Sequence, residues 1–346
     1  MAAGTGKAIA DAIMATLSDW GITDSIRALC FDTTSSNTGR INGACNLVEQ
    51  QLGRPVLHLA CRHHIHEIML EELFRTTMGP SSGPEIKLFK RFKVFWPNVV
   101  FTDYLPGIEV PAVACAIAGV LEETKAFITN QLQLFHHRED YRELLELALI
   151  FLGGVRCRGV LFRKPGAIHR AHFMARLIYS PKMYIFRNSG FKMTARELSN
   201  LGDFCVFGVT CYIRSWFLSR LPTAAPTSDL HLLKQLAECG SPASLGALKK
   251  LCGQLWYVSE ELVAFDFFDR DVDAAEKRSM LKALQRQGTE DPPKRVTVDQ
   301  SSIAHKQLHD FVAQNTMNFF RILSINDNFL SDDPETWVSN RYGMVY

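Results

Sequence analysis

The stretch that decides the fold is residues 25–67, SIRALCFDTTSSNTGRINGACNLVEQQLGRPVLHLACRHHIHE. Two short apolar runs in it, 25–31 and 56–60, are bounded by turn-forming residues, as buried strands are. Segments with helical spacing of apolar residues precede, separate and follow the two runs, at about 6–20, 41–52 and 61–74. Because alternating helices and strands favour a parallel sheet with crossover helices, this part of the chain predicts an α/β fold.

The rest of the chain is expected to be mainly helical. Helical patterns cover 112–132, 138–151, 167–186, 195–221, 229–238, 245–268 and 301–323. We therefore predict an α/β core that is interrupted by a large helical domain. The predicted divisions are 1–78 for the first part of the core, 85–243 for the helical insertion, 244–287 for the return to the core with an acidic helix, and 295–346 for a C-terminal helix and tail.

Composition restricts the class of protein. The 346 residues are 47% hydrophobic and 21% charged, which is typical of a folded globular chain. The net charge of +2 creates no global cationic field, so any DNA binding needs a local basic patch. Nine irregularly spaced cysteines, no signal-peptide pattern and no apolar run of about 18 residues favour an intracellular protein, nuclear or cytoplasmic, without a membrane partner.

Two features of the opening stretch carry possible chemistry. Asp32 follows the first predicted strand directly, at the sheet edge where catalytic groups collect in open α/β folds; capping of the next turn is its alternative role. The second feature is Cys61-Arg-His-His64-Ile-His66, which suggests zinc. Three of these groups on one helical turn cannot all reach one ion, so no zinc is expected, although a zinc-stabilised scaffold at Cys61, His64 and His66 stays a third hypothesis.

Together these features resemble the hAT superfamily of cut-and-paste DNA transposases, whose core is RNase H-like. The resemblance rests on an Asp at a strand end, a Gly-rich turn entering a helix at 39–44, a second strand, and Cys61-x-x-His64 entering a helix. This stretch of sequence is similar in particular to transposon-derived animal proteins with the pattern FDTT.SNTG…GAC…ACRHHI.E. The motif region covers about 45 residues of the chain.

The resemblance implies roles for single residues. Asp32 matches the second catalytic Asp of the family's DDE triad, while Cys61 and His64 match its Cys-x-x-His pair. The last carboxylate is expected at Glu260 or Glu261, which are adjacent and so point about 100° apart on a helix. These carboxylates would bind Mg²⁺ or Mn²⁺ for metal-dependent DNA cleavage and strand transfer, because hard cations prefer carboxylate oxygen.

The chain departs from the family pattern in one respect. The family's first Asp lies on an opening strand, whereas no strand-borne Asp is predicted before Asp32. We therefore expect an incomplete catalytic site, as in a gene-model fragment, a decayed copy or a domesticated derivative. The alternative to an enzyme is a non-catalytic DNA- or protein-binding module, and a homo-oligomer is possible under either hypothesis.

Two basic segments are candidates for DNA contact. Residues 87–96, KLFKRFKVFW, interleave the cations Lys87, Lys90, Arg91 and Lys93 with aromatics, a pattern suited to phosphate contact plus base stacking. A surface helix with a buried aromatic face fits the same pattern. In the second segment, His169, Arg170 and Arg176 lie along a predicted helix, which indicates either a DNA-facing surface or an ordinary solvated one.

Overall fold

The computed structural model describes residues 4–79, 86–154, 161–166, 174–288 and 299–337. In this part the protein is mainly helical, with one small sheet of two parallel strands, β1 (Ala28–Phe31) and β2 (Leu57–Ala60). The helices are α1 (Gly6–Asp19), α2 (Ser35–Thr38), α3 (Ala44–Leu52), α4 (Arg62–Met78), α5 (Lys87–Phe95), α6 (Pro111–Ile117), α7 (Leu121–Gln133), α8 (Glu139–Phe151), α9 (Ala175–Ile185), α10 (Ala195–Phe207), α11 (Ile213–Leu218), α12 (Ala225–Cys239), α13 (Pro242–Leu251), α14 (Ala274–Ala283) and α15 (Met317–Leu323).

The chain divides into two compact units. The first, here called the sheet unit, contains residues 1–65, 218–238 and 248–346. The second, the helical unit, contains residues 66–217 and 239–247. The helical unit therefore begins at His66 within α4, whereas the sequence patterns place the start of the insertion at residue 85.

The sheet unit begins as the sequence predicts. The order α1, β1, α2, α3, β2, α4 matches the expected alternation, and the strands pair in parallel with Phe31 opposite Ala60. Helices α1 and α3 pack through Ala10, Ala44 and Val48, which are buried in one apolar cluster. This packing covers the apolar stripe that the helical spacing predicts.

The glycines of the Asp32 loop are required by close backbone approaches. A Cβ on Gly43 would lie 2.4 Å from both the nitrogen and the oxygen of Gly39. A Cβ on Gly6, the first residue of α1, would lie 2.0 Å from the carbonyl oxygen of Asn42. The loop and the start of α1 can therefore meet only where side chains are absent.

The helical unit is built around aromatic side chains. Phe74 of α4 packs edge-on against both Phe89 and Phe204, and Phe89 stacks on Tyr179 with ring centroids 4.6 Å apart. The chain between α10 and α11 forms a π-helical turn at Gly208–Tyr212. Such turns are uncommon and occur frequently near functional sites.

Several sequence predictions differ from the structure. The expected α/β class holds only in the coarse sense of a small parallel sheet with crossover helices, since the described residues are mainly helical. The pattern at 112–132 is two helices, α6 and α7, and the pattern at 195–221 is interrupted by the π-helical turn.

The helix predicted at 245–268 ends at Leu251. The Trp256 indole donates to the Leu251 carbonyl oxygen at 3.0 Å, so a side chain satisfies a carbonyl at the helix end. Turns follow, then a 3₁₀ helix at Leu262–Phe268. The prediction of an acidic helix around Glu260 and Glu261 is therefore wrong.

The helix predicted at 301–323 is also largely absent: three single 3₁₀ turns precede the short α15. Side chains compete there for the backbone amides, because Asp310 accepts from the Gln307 amide and Glu276 from the His309 amide.

Candidate functional site

Asp32 lies at the carboxyl end of β1, exposed to solvent. Its Oδ1 accepts three hydrogen bonds: from the Thr34 amide at 2.9 Å, the Thr34 hydroxyl at 2.6 Å and the Asn37 side chain at 2.9 Å. The Thr34 hydroxyl contributes most to holding the pKa of this carboxyl below its ordinary value, and His64 also lowers it. Asp32 is therefore an ionised carboxylate that is held in one orientation. It caps the following turn, which is the alternative role expected from the sequence.

The family motif at the start of α4 lies at the same sheet edge. The Cys61 amide donates to the Phe31 carbonyl oxygen at 2.8 Å and so continues the β1–β2 pairing into the motif. His64 is near enough to Asp32 to affect its pKa. Asp32, Cys61 and His64 are thus brought together at one edge, as the spacing predicts for the ends of parallel strands.

Arg62, between the two motif residues, makes a buried ion pair. Its guanidinium lies 2.7 Å from Asp229 Oδ1, and the two side chains are 4% and 1% exposed. Its Cζ also lies 5.6 Å from the ring centre of Tyr257. Burial raises the pKa of Asp229, and Arg62 opposes this effect. A buried charge requires such a partner, so Arg62 anchors α12 to the sheet edge.

Tyr257 attaches the returning segment, 254–261, to the same edge. Its hydroxyl donates to the Ala60 carbonyl oxygen at 3.1 Å, and its amide donates to Asp229 Oδ2 at 3.3 Å. Burial raises the pKa of this hydroxyl well above its ordinary value, so the hydroxyl stays a donor. The structure thus brings the segment that bears Glu260 and Glu261 to the edge where Asp32 lies.

Neither glutamate is an open carboxylate like Asp32. The Glu261 residue is 4% exposed, and Glu260 is half-buried with its Oε2 out of contact with solvent. Both lie in a turn rather than on a regular helix, so the expected choice by helical face does not apply.

A metal site would need several ligating side chains close together. No group of three or more His, Cys, Asp or Glu side chains that could hold a metal ion occurs within the described part of the chain. Of the expected carboxylates, Asp32 is exposed whereas Glu261 is buried, so the two do not share one open site. The zinc hypothesis at Cys61, His64 and His66 would need all three side chains to face one ion. His66 instead turns inwards, with Nε2 2.6 Å from the Ser215 hydroxyl oxygen.

The basic helix α5 has two distinct faces. Leu88, Phe89 and Phe92 are buried, while Lys87 and Lys90 are exposed. The aromatic face is therefore core, and base stacking by these rings is excluded in this arrangement. Lys87 and Lys90 lie on the solvent-exposed side of the helix.

Arg91 and Lys93 of α5 make polar contacts within the protein. Arg91 pairs with Glu197 at 2.7 Å, and the Lys93 ammonium donates to the Gly166 carbonyl oxygen at 2.7 Å. The Glu197 carboxylate balances the charge of Arg91, whereas the contact of Lys93 is with a neutral carbonyl.

The second basic segment is described only in part. His169 and Arg170 lie outside the described residues. Arg176 is 4% exposed, with its guanidinium 3.8 Å from Glu67 and 3.7 Å from Glu71. In this position Arg176 cannot reach a DNA phosphate, because its buried guanidinium lies against Glu67 and Glu71.

The residues that the sequence patterns missed are Arg62, Asp229 and Tyr257. Their local contexts are ordinary, and 167 positions separate Arg62 from Asp229. The one available signal was an Arg inside the Cys-x-x-His motif, on the first turn of a helix that follows a buried strand.

Among the described residues, no helix is both long and apolar enough to cross a membrane. Comparison with family models, curated proteins and solved structures gave no match to this chain.

Proposed function

We propose that the chain derives from an hAT-like DNA transposase with an RNase H-like core, and that it binds DNA through the exposed cationic face of α5. The observation that carries the binding proposal is the separation of faces on this helix: Lys87 and Lys90 are exposed while Phe89 and Phe92 are buried. Such a face suits sequence-independent contact with the phosphate backbone.

The ancestry is supported by the sheet edge. Asp32, the Cys61-x-x-His64 motif and the segment anchored by Tyr257 meet there, which is the arrangement that the resemblance implies. In the family this edge would carry Mg²⁺ or Mn²⁺ for DNA cleavage and strand transfer. Because Asp32 is exposed while Glu261 is buried, we derive no cleavage step for this chain.

Salt-dependent DNA binding tests the proposal. The binding constant K falls with salt concentration, and each lost phosphate contact makes the slope of log K against log salt shallower by about 1. K87E/K90E should therefore make this slope shallower by about 2. It should also weaken binding to all DNA sequences alike. The double variant K249E/K250E makes the same charge change at two exposed lysines of α13 and should bind as the parent does. Equal loss in both variants, or in neither, would contradict binding through α5.

Metal-dependent DNA cleavage is the second candidate, and the ionised Asp32 favours it. A nicking assay on supercoiled DNA with Mn²⁺ separates the two functions. Our proposal expects DNA binding with little nicking, and unchanged binding in D32A. Robust nicking that D32N abolishes would show that the site is catalytic.

A further inference from the structure

The helical unit contains a pocket of about 940 Å³. The ends of α4 and α9, the helices α6 and α10, the π-helical turn and residues 239–243 line it. Its volume is near the upper end of the range for small-molecule sites, and most of its lining is apolar. In such sites the apolar walls bury the body of a ligand, and a few polar groups decide which ligand fits.

Tyr184 is a buried side chain of this pocket whose hydroxyl has no partner in the protein. The residue is 3% exposed and lines the pocket, and the described residues give its hydroxyl no hydrogen bond. The ring packs against Gly202 of α10, where an added Cβ would lie 3.0 Å from the hydroxyl oxygen. Because a buried tyrosine hydroxyl usually finds a hydrogen-bond partner, an unpaired one on a pocket wall indicates a place for a ligand group.

Asp203 follows Gly202 directly and lines the same pocket. Partial burial raises the pKa of its carboxyl, and among the described residues no hydrogen bond or cation opposes this effect. Burial also raises the pKa of the Tyr184 hydroxyl, and the nearby Asp203 raises it further. An unpaired carboxylate and an unpaired hydroxyl therefore lie near each other on a largely apolar wall.

The two arginines of the pocket do not neutralise Asp203. The Arg187 guanidinium donates to two backbone carbonyl oxygens at 2.8 and 3.0 Å. Arg196 precedes Asp203 on α10 by two helical turns, which separates the two residues by roughly 10 Å along the helix axis. Neither arginine forms an ion pair with Asp203 in the part of the chain that the structure describes. The negative charge of Asp203 is therefore available to a ligand.

We propose that this pocket binds a small organic cation, namely a primary ammonium group on an apolar or aromatic body. The ammonium donates to the Asp203 carboxylate and to the Tyr184 hydroxyl oxygen. The body of the ligand lies against apolar side chains such as Val113 of α6 and Val206 of α10. Because a hydrogen bond between two charged groups is stronger than a neutral one, the carboxylate determines the charge of the ligand.

Two indole compounds of similar size and opposite charge test the proposal on the full chain. Tryptamine carries an ammonium group, whereas indole-3-propionate carries a carboxylate. Isothermal titration calorimetry measures the dissociation constant of each compound. Tryptamine should bind at least about 10-fold more tightly, which is the contribution of one hydrogen bond between charged groups. Equal affinities, a preference for indole-3-propionate, or no binding of tryptamine would overturn the proposal.

Variants of the two polar groups test their roles. D203N removes the charge at nearly constant shape and should abolish the preference for tryptamine. Y184F should weaken tryptamine binding several-fold and leave indole-3-propionate unaffected. D103N is the control, because Asp103 is an exposed aspartate of the helical unit that does not line the pocket. It should bind both compounds as the parent does, and equal losses in D103N and D203N would contradict a specific role of Asp203.

A pair of filling variants locates the binding site. A116W places an indole inside the pocket and should abolish tryptamine binding, whereas A118W adds the same group at a residue outside the lining and should not. Thermal unfolding checks that each variant is folded. Tryptamine binding that survives in folded A116W would place the ligand elsewhere and would exclude this pocket.

Discussion

The Tyr257 hydroxyl donates to the carbonyl oxygen of Ala60, the last residue of β2, across 197 positions of sequence. This contact fixes the returning segment at the sheet edge that holds Asp32. It lies in the sheet unit and is buried, so water cannot easily replace it.

Removing this hydroxyl should loosen the returning segment. Tyr257→Phe keeps the ring beside Arg62 but leaves the Ala60 carbonyl oxygen without its donor, so the free energy of unfolding should fall by about 1–2 kcal/mol. Urea unfolding measures this loss, and amide exchange should rise at residues 254–262. Tyr104→Phe is the control, because the described residues give its hydroxyl no hydrogen bond. Equal effects of the two variants would show that the Tyr257 contact contributes nothing.

The Arg62–Asp229 pair should behave as a coupled buried pair. Arg62→Met leaves Asp229 buried and unpaired, and we expect a loss of about 3–5 kcal/mol in the free energy of unfolding. The double variant R62M/D229L removes both charges and should recover much of that loss. A double-mutant cycle by urea unfolding measures the coupling, and additive losses would contradict it.

The loop after Asp32 should not accept a side chain at Gly43. Gly43→Ala places a Cβ 2.4 Å from backbone atoms of Gly39, which cannot move aside as a flexible side chain would. A loss of about 2 kcal/mol or more in the free energy of unfolding is expected. Gly119→Ala is the matched control, since nothing lies within 4 Å of its added Cβ. Thermal unfolding of the two variants checks the difference.

Asp266 should make stability depend on pH. Burial raises the pKa of this carboxyl well above its ordinary value; Thr227, which donates to Oδ2 at 2.9 Å, lowers it, and the neighbouring Asp269 and Asp229 raise it further. The folded pKa thus exceeds the unfolded one. The stabilisation is complete below the unfolded pKa and is lost as pH rises through the folded pKa.

The variant Asp266→Asn removes this titration. It should be more stable than the parent at alkaline pH, and its unfolding free energy should fall less as pH rises above the ordinary range of an Asp carboxyl. Lys277, whose own pKa burial lowers, is a cation near both Asp266 and Asp269, and K277M serves as a comparison. A parent and D266N with parallel pH profiles would contradict the assignment.

The sequence predicted the first third of the sheet unit well. Helix α1 was expected at 6–20, and the two strands and α3 were expected close to their observed positions. These elements have strong local signals: apolar periodicity, turn-forming residues and glycines at their ends. The Asp32 edge follows from the same signals, because parallel strands end at the same side of a sheet.

The helices from residue 245 onwards were predicted less well, and the contacts of Trp256 show the physical reason. Residues 245–268 have helical periodicity, yet the indole of Trp256 satisfies the Leu251 carbonyl oxygen and the chain turns. Glu260 and Glu261 lie in the resulting turn. Helical geometry therefore cannot decide which of the two side chains faces the Asp32 edge.

The sequence by itself determined the α–β–α–β–α order around Asp32, the glycines that permit the loop, and the two-faced pattern of α5. Only the tertiary structure decided that Arg62 pairs with Asp229, that Tyr257 holds the returning segment at Ala60 and that Arg176 turns inwards to Glu67. Periodicity and turn chemistry act between near neighbours in the chain, and the sequence displays them. Buried contacts join residues that lie more than a hundred positions apart in the chain. Which residues meet in them depends on how all the elements pack.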